Sequence, residues 1–313
     1  MNRPPPPPTS SDMDYAEPPS YNHAIQSTLD PSLVKQYGTV SDASEDSFQR
    51  GELFIQAFRS KIDEYPTELV EAIKSQGPFC IMLDTQVHNN TMFRHPLWTD
   101  DRPGFRSDGT TFIQFWPDGK PYRQTQQQQL LDTDLTIQGS HPFISFFNND
   151  NNNNQEQQSI KETVHYFEIT IDQVISPPES TVFSIGLTTK PYPLFRMPGW
   201  NQFSVGYHSD DGSKFCDDPT GGQEFGPTWG NQGDVIGCQY HVESGTVHFT
   251  LNGLLIHQPA FVGLESHIYY PAIACDGQAT VRVNFGATPF KYHCPNWIGF
   301  HHHKSSTAPP TYQ

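Results

Sequence analysis

The chain has 313 residues, of which 35% are hydrophobic, and a formal net charge of −16 at pH 7. This acidity argues against nucleic acid as a partner and against a polybasic membrane anchor, because both need clustered Lys and Arg. The five cysteines form no Cys-x-x-Cys pair, so neither a zinc site nor a disulfide framework is supported, and we expect a reducing, cytosolic compartment.

Residues 1–46 are predicted to form a disordered, Pro/Ser-rich arm. Its proline run, Pro4–Pro8, is typical of a stiff spacer or of a ligand for profilin or SH3 grooves. The arm also contains Pro18-Pro19-Ser20-Tyr21, which has the Pro-Pro-x-Tyr form that WW domains accept. Consecutive prolines hold the extended polyproline II form that docks in an aromatic groove, and the tyrosine supplies a large second anchor. We therefore predict that Pro18, Pro19 and Tyr21 contact a WW domain.

Residues 47–78 are predicted to form an amphipathic helical segment. Phe54, Phe58 and Ile62 recur at intervals of four and define one apolar helical face. Pro66 interrupts this pattern and is suited to the first turn of a second helix, which ends at a Gly-Pro pair. A membrane-binding helix is the alternative, but the mixed charges and the short length favour packing against the domain that follows.

Residues 79–292 are predicted to form an antiparallel β-sandwich. Alternating apolar residues indicate strands, for example at 246–251, which leads into Asn252-Gly253, a strong hairpin signal. Short strands separated by Gly, Pro and Asp turns, without helical periodicity between them, favour an all-β architecture. The Gln/Asn-rich tracts 124–129 and 148–158 cannot bury apolar surface, so we expect them to be loop inserts.

Residues 293–313 are predicted to form a second disordered tail. The tail carries Pro309-Pro310-Thr311-Tyr312, so Pro309, Pro310 and Tyr312 are also predicted to contact a WW domain, more weakly because only Gln313 follows. In a chain with 28 prolines one such motif arises easily by chance, but two copies at opposite ends, with none inside the globular part, favour docking. A pair of motifs adds avidity when both engage.

The sequence contains no catalytic, cofactor or membrane signature. It lacks a G-x-S-x-G elbow, a P-loop and a dinucleotide fingerprint, and no pair of carboxylates is identified as in a glycosidase. Asp210-Asp211-Gly212 lacks the other oxygen ligands of a calcium loop and is interpreted as a turn. No window approaches the roughly 18 apolar residues of a membrane span, and residues 1–30 contain no secretory signal. We therefore expect a non-enzymatic protein with no cofactor, no metal and no direct membrane span in this chain.

The β region resembles a SPRY domain, the concanavalin-like sandwich that serves as a protein-recognition module. The resemblance covers about residues 160–292 and extends in weaker form back to residue 80. It is carried by six phrases: Ser184-Ile-Gly-Leu187, Pro198-Gly-Trp200, Ser204-Val-Gly-Tyr-His-Ser-Asp-Asp-Gly-Ser-Lys-Phe215, Gly226-Pro-Thr-Trp-Gly230, Gly233-Asp-Val-Ile-Gly-Cys238 and Phe249-Thr-Leu-Asn-Gly253.

A narrower resemblance is to the fungal SPRY adaptors of endosome and vacuole. It is carried by Arg50-Gly-Glu-Leu-Phe-Ile-Gln-Ala-Phe58, Tyr65-Pro66 and Thr189-Lys-Pro-Tyr-Pro-Leu-Phe-Arg-Met-Pro-Gly-Trp200. Those adaptors use Pro-Pro-x-Tyr motifs to recruit a WW-domain HECT ubiquitin ligase, and they deliver membrane transporters and other cargo for ubiquitination and sorting into multivesicular bodies. The resemblance implies the same partners here, with recruitment to an endosome or vacuole membrane. Such adaptors usually carry an N-terminal membrane span, which this sequence lacks, so membrane placement is left open.

The cargo surface is predicted from the loops of the sandwich. Tyr192, Arg196 and Trp229 lie in Pro/Gly-rich loop phrases, and loops on a rigid sandwich commonly carry binding. Tyr, Arg and Trp are also the residue types enriched at interface hot spots. We therefore treat these three residues as candidate cargo contacts, although SPRY domains more usually bury such tryptophans.

Two other hypotheses stay open. In the first, the chain is a SPRY scaffold subunit of a multi-subunit ubiquitin ligase or chromatin complex, although the LisH and CTLH segments of such relatives are not found after residue 292. In the second, it is a lectin-like sugar binder, because lectins share this sandwich and Trp200, Trp229 and Trp297 would suit stacking. For the leading hypothesis, three lysines are candidate ubiquitin acceptors: Lys35, Lys61 and Lys74.

Overall fold

The computed structural model describes residues 45–85, 104–116, 134–146, 162–175, 181–219, 222–256 and 258–299. Two α-helices open this part of the chain, each followed by a short 3-10 turn: α1 (Glu45–Phe58) with Arg59–Lys61, and α2 (Thr67–Gln76) with Gly77–Cys80. Thirteen strands follow within the described residues: β1 (Gly104–Ser107), β2 (Phe112–Trp116), β3 (Leu135–Gln138), β4 (Val164–Val174), β5 (Phe183–Thr188), β6 (Ser204–His208), β7 (Ser213–Cys216), β8 (Gln223–Glu224), β9 (Val235–His241), β10 (Thr246–Leu251), β11 (Leu254–Leu255), β12 (Tyr270–Cys275) and β13 (Ala279–Asn284).

Both helices form because each has one apolar face to bury. Helix α1 buries Phe54 and Phe58, whose ring centroids lie 4.6 Å apart, and α2 buries Val70 and Ile73. Helix α2 ends at Gly77, whose φ of 72° is in the left-handed region that glycine adopts without a Cβ clash. The prediction of short amphipathic helices ahead of the β region is confirmed.

The strands form two antiparallel sheets. The seven-stranded sheet has the order β1-β2-β13-β4-β9-β10-β11, and the six-stranded sheet has the order β3-β12-β5-β6-β7-β8. Strand β10 turns into β11 through Asn252 (φ 54°) and Gly253 (φ 87°), which is the pair of positive φ values that a tight two-residue hairpin requires. The turn sets Leu251 opposite Leu254. The predicted all-β antiparallel architecture is confirmed.

One apolar core lies between the two sheets. Alternation along β4 directs Phe167, Ile169 and Ile171 inward, and β5 contributes Ile185 and Leu187, all at 0% exposure and all in one cluster. Complete burial of such a side chain stabilises the fold by about 1.5–3 kcal/mol. The sandwich is therefore held together mainly by residues that the period-two pattern identifies.

A loop covers the outer face of the six-stranded sheet. We call residues 189–203, between β5 and β6, the cover loop. Its Met197 and Trp200 pack in a second apolar cluster against an aromatic residue of β7. Glycine is required beneath the loop at Gly206, because a Cβ there would overlap the carbonyl oxygen of Pro198. This sheet is consequently buried on both faces where the loop crosses it.

A C-terminal segment covers part of the outer face of the seven-stranded sheet. We call residues 286–299 the C-terminal strap. The Ile298 N–H donates to the carbonyl oxygen of Val164 at 3.0 Å, and Trp297 is only 4% exposed. The predicted disordered tail therefore starts too early, because residues 293–299 bury apolar side chains against β4 and belong to the fold.

Candidate functional site

Both Pro-Pro-x-Tyr motifs lie outside the described residues. Pro18, Pro19 and Tyr21 precede helix α1, and Pro309, Pro310 and Tyr312 follow the C-terminal strap. Their contact with WW domains stays a prediction. Covalent geometry still limits their distance from the fold. At no more than about 3.6 Å per residue, the ten residue steps from Gly299 to Pro309 span at most about 36 Å.

The three candidate cargo contacts are buried. Tyr192 and Arg196 are each 1% exposed, and Trp229 is 5% exposed. The Tyr192 hydroxyl donates to the carbonyl oxygen of Met197 at 2.7 Å, and Nη2 of Arg196 donates to that of Trp200 at 2.5 Å, so both side chains brace the cover loop. Their side chains do not form surface that a partner can touch in this structure, so their burial argues against the prediction that these residues contact cargo.

Trp229 fills the core instead of a surface pocket. Its ring centroid lies 6.1 Å from that of Phe183 and 5.8 Å from that of Tyr207, and all three belong to the cluster between the sheets. Aromatic pairs at these separations add packing energy beyond their buried area. Trp229 therefore stabilises the end of the sandwich from which its loop emerges.

Helix α1 packs directly on the cover loop. The Arg50 guanidinium lies 4.2 Å from the ring centroid of Phe195, which is a cation–π distance. The closest approach is at Gly51, where a Cβ would overlap Oδ1 of Asn201. The two phrases that carry the narrower resemblance, one in α1 and one in the cover loop, are thus in contact and form one structural unit.

A second contact ties the turn after α1 to the sandwich. The Asp63 carboxylate faces Nδ1 of His267 at 2.7 Å and accepts the backbone N–H of Ile268 at 3.1 Å. The His267 ring also lies against Phe203 of the cover loop, with centroids 4.2 Å apart. The helical segment is consequently fixed to the sandwich through α1 and through this turn.

A buried polar network lies beneath the C-terminal strap. Glu168 of β4 is 5% exposed and accepts hydrogen bonds from the backbone N–H of Lys291 at 2.9 Å and from the Tyr166 hydroxyl at 3.1 Å. Nε2 of Gln239 donates to Sγ of Cys294 at 3.1 Å. Burial raises the pKa of the Glu168 carboxyl, and these hydrogen bonds offset only part of the effect. The network fixes where the strap lies on the sheet.

Comparison with known families identifies the sandwich. The family model described as the SPRY domain matches residues 164–288. The chain contains a SPRY domain. The match begins at β4 and ends within the strap, so helices α1 and α2 and strands β1 to β3 lie outside the matched residues. In this chain those elements complete the two sheets of the SPRY domain and cover it.

Several similar sequences come from fungi, and one comes from a frog. Protein ssh4 of Sclerotinia sclerotiorum is 43% identical over 129 residues, which cover 41% of this chain and 24% of that protein. Protein ssh4 of Neurospora crassa is 41% identical over the same length and the same shares. Ran-binding protein 9 of Xenopus tropicalis is 38% identical over 136 residues, 43% of this chain and 24% of that protein. The match thus spans about a quarter of the length of these relatives.

One solved structure also matches this chain. The crystal structure of a human SPRY domain has a TM-score of 0.39 and 22% sequence identity, and covers 59% of this chain and 97% of that chain.

The remaining surface of the SPRY domain and its helices carries several apolar side chains. Seven large ones are exposed among the described residues: Phe48, Leu53, Tyr65, Met82, Ile175, Leu254 and Val262. Single exposed apolar residues are common on protein surfaces, so none of them alone defines an interface. In the described part of the chain no group of His, Cys, Asp and Glu is placed to hold a metal ion, and no helix is long and apolar enough to span a membrane.

Proposed function

We propose that this protein is a non-catalytic adaptor for ubiquitination. Its SPRY domain binds cargo, which we take to be membrane transporters or other sorting substrates. Its two Pro-Pro-x-Tyr motifs, Pro18–Tyr21 and Pro309–Tyr312, bind the WW domains of a HECT ubiquitin ligase. The complex then promotes ubiquitination of the cargo and its sorting through endosome or vacuole.

The observation that carries this proposal is the position of the two motifs on either side of one folded unit. The described fold runs from α1 to the strap, and one Pro-Pro-x-Tyr motif precedes it while the other follows it in the chain. A rigid sandwich between two docking segments suits a protein that holds one partner while recruiting another. Similarity to the fungal ssh4 proteins also supports an adaptor role, and this similarity is limited to the matched residues of the SPRY domain.

Binding of the full chain to immobilised WW domains tests the ligase half of the proposal. Replacing Tyr21 and Tyr312 together by Ala removes both aromatic anchors, so we expect binding to fall at least about tenfold, as for an interface hot spot. Tyr65→Ala is the matched control, because Tyr65 is 61% exposed and lies outside both motifs. Retention of the double variant at the wild-type level would remove the basis for ligase recruitment.

The first alternative is a SPRY scaffold subunit of a larger ubiquitin ligase or chromatin complex. In that case the terminal motifs are incidental, and the proteins that copurify with the full chain stay the same when both tyrosines are replaced. The adaptor proposal instead expects selective loss of a HECT ligase and retention of cargo. A glycan array addresses the lectin-like alternative, which predicts binding to a defined sugar.

A further inference from the structure

The five lysines of the described residues differ in how firmly their side chains are held. Lys190 and Lys214 are held against the protein. Lys190 Nζ lies 2.6 Å from Oδ2 of Asp84 and 4.6 Å from the ring centroid of Tyr270. Lys214 Nζ donates to the carbonyl oxygen of Ala260 at 2.6 Å. These two amines are already engaged.

Lys61 and Lys74 form a second group, in the helical segment. Lys61 ends the 3-10 turn after α1, and Lys74 lies in the last turn of α2. Both are exposed, and within the part of the chain that the structure describes neither side chain forms a hydrogen bond, an ion pair or a ring contact. The buried faces of the two helices hold the backbone beneath them, so the amines project from a fixed platform.

Lys291 is exposed but differs from these two. Its backbone N–H donates to the buried Glu168, and its Nζ lies 3.5 Å from Oδ1 of Asn252, so the side chain lies along the strap. It also belongs to the end of the chain that carries the motif for which we expect weaker WW binding.

We propose that, among the described lysines, Lys61 and Lys74 are the sites at which the bound ligase attaches ubiquitin to this chain itself; Lys35 lies outside the described residues. This inference rests on the proposed function. Tyr21 is 24 residue steps before Glu45, at most about 86 Å, so a ligase bound at the first motif is tethered to the helical segment. Tethering raises the local concentration of the two partners to the millimolar range. An unengaged, exposed amine on this segment therefore meets the ligase often.

The transfer needs a ubiquitin thioester on the ligase cysteine, which is the co-reactant. The ammonium of Lys61 or Lys74 first loses a proton, and the free amine attacks the thioester carbonyl carbon. The new C–N bond is an isopeptide, the C–S bond breaks, and the sulfur leaves as a thiolate that takes up a proton. Burial lowers the pKa of Lys190, which favours the free amine. Its nitrogen is enclosed by a carboxylate and a ring, however, so it is less able to reach the thioester.

Reconstituted ubiquitination of the full chain tests this inference. The mixture contains activating and conjugating enzymes, a WW-domain HECT ligase, ubiquitin and ATP, and modified lysines are mapped by mass spectrometry. We expect remnants on Lys61 and Lys74, and at least a fivefold loss of modified chain when both are replaced by Arg. Lys190→Arg with Lys214→Arg is the matched control and is expected to leave modification unchanged.

Binding to WW domains is measured on the same variants, so that the two proposals are separated. Normal binding with unchanged modification of the Lys61→Arg/Lys74→Arg variant, or with remnants mainly at Lys190, Lys214 or Lys291, overturns the inference and leaves the adaptor proposal standing. If the wild type binds WW domains but is not modified at all, the inference is also overturned and the adaptor proposal stands. Absence of WW binding by the wild type overturns both.

Discussion

Two buried histidines predict that mild acid destabilises the SPRY domain. His165 and His208 are each 0% exposed, and Nε2 of each ring donates to a carbonyl oxygen at 2.9 Å, that of Ile144 and that of Pro198 respectively. The second ring nitrogen, Nδ1, has no hydrogen-bond partner among the described residues. Protonation of either ring would therefore place an uncompensated charge inside the fold.

The pKa values give the direction and the size of the effect. Burial lowers the pKa of both histidines to about 4, and the carbonyl oxygens and the carboxylates Glu243 and Asp211 offset only part of it. The unfolded chain has a histidine pKa of about 6.5, so below that pH it binds more protons than the folded chain. The free energy of unfolding is thus fully retained above about pH 6.5 and falls as the pH drops toward 4. At about pH 5 each histidine accounts for a loss of about 2 kcal/mol.

Urea unfolding of the full chain at about pH 7.5 and about pH 5, followed by tryptophan fluorescence, measures the loss. We expect His165→Gln, whose amide can still donate to Ile144, to lose about 2 kcal/mol less than the wild type, because the difference isolates one buried histidine. His293→Gln replaces an exposed histidine and is the control. The raised pKa of Glu168 acts in the opposite direction as the pH falls toward 4.5, but this contribution is the same in the wild type and in His165→Gln and cancels in their difference. A loss in His165→Gln as large as that of the wild type would refute the reasoning.

Three further substitutions test how the covering elements are held. Helix propensity alone would make Gly51→Ala stabilising by about 1 kcal/mol. Because the added Cβ overlaps Asn201, we instead expect urea unfolding to show destabilisation by about 1–3 kcal/mol. A stabilised variant would contradict the close contact. Trp297→Ala is expected to cost about 3–5 kcal/mol and to expose the strap to limited proteolysis, whereas the exposed Leu254→Ala leaves the cleavage pattern unchanged. Arg196→Met removes buried hydrogen bonds, so we expect the free energy of unfolding to fall by about 2–4 kcal/mol and the thermal midpoint to fall with it. An unchanged midpoint would show that the guanidinium does not brace the cover loop.

Much of the sandwich follows from local sequence. Alternation along β4 places Phe167, Ile169 and Ile171 on the core face, and the structure has them there because a strand directs successive side chains to opposite faces. Asn252-Gly253 predicts its hairpin for an equally local reason, since both residues accept positive φ. These features need no knowledge of what packs on the outer face of either sheet.

The cover loop could not be predicted in the same way. Its Pro/Gly-rich composition is typical of an exposed loop, and this led to the prediction that Tyr192 and Arg196 contact cargo. Their burial depends on α1 above the loop, which is more than 130 residues away in sequence, and on the close approach of the loop to Gly206 beneath it. The one local signal was the apolar residue Met197 within the loop, which is 0% exposed.

The covered faces also constrain where cargo can bind. On one side, α1 covers part of the cover loop and presents the exposed Leu53, so a partner that binds there contacts α1 as well as the loop. A partner that approaches the other sheet meets the strap where residues 286–299 cross β4. Because both layers lie largely outside the matched SPRY residues 164–288, proteins that share only the matched residues need not present the same surface. Under the proposed function, we therefore expect cargo selection to depend on α1 and the strap as well as on the loops of the sandwich.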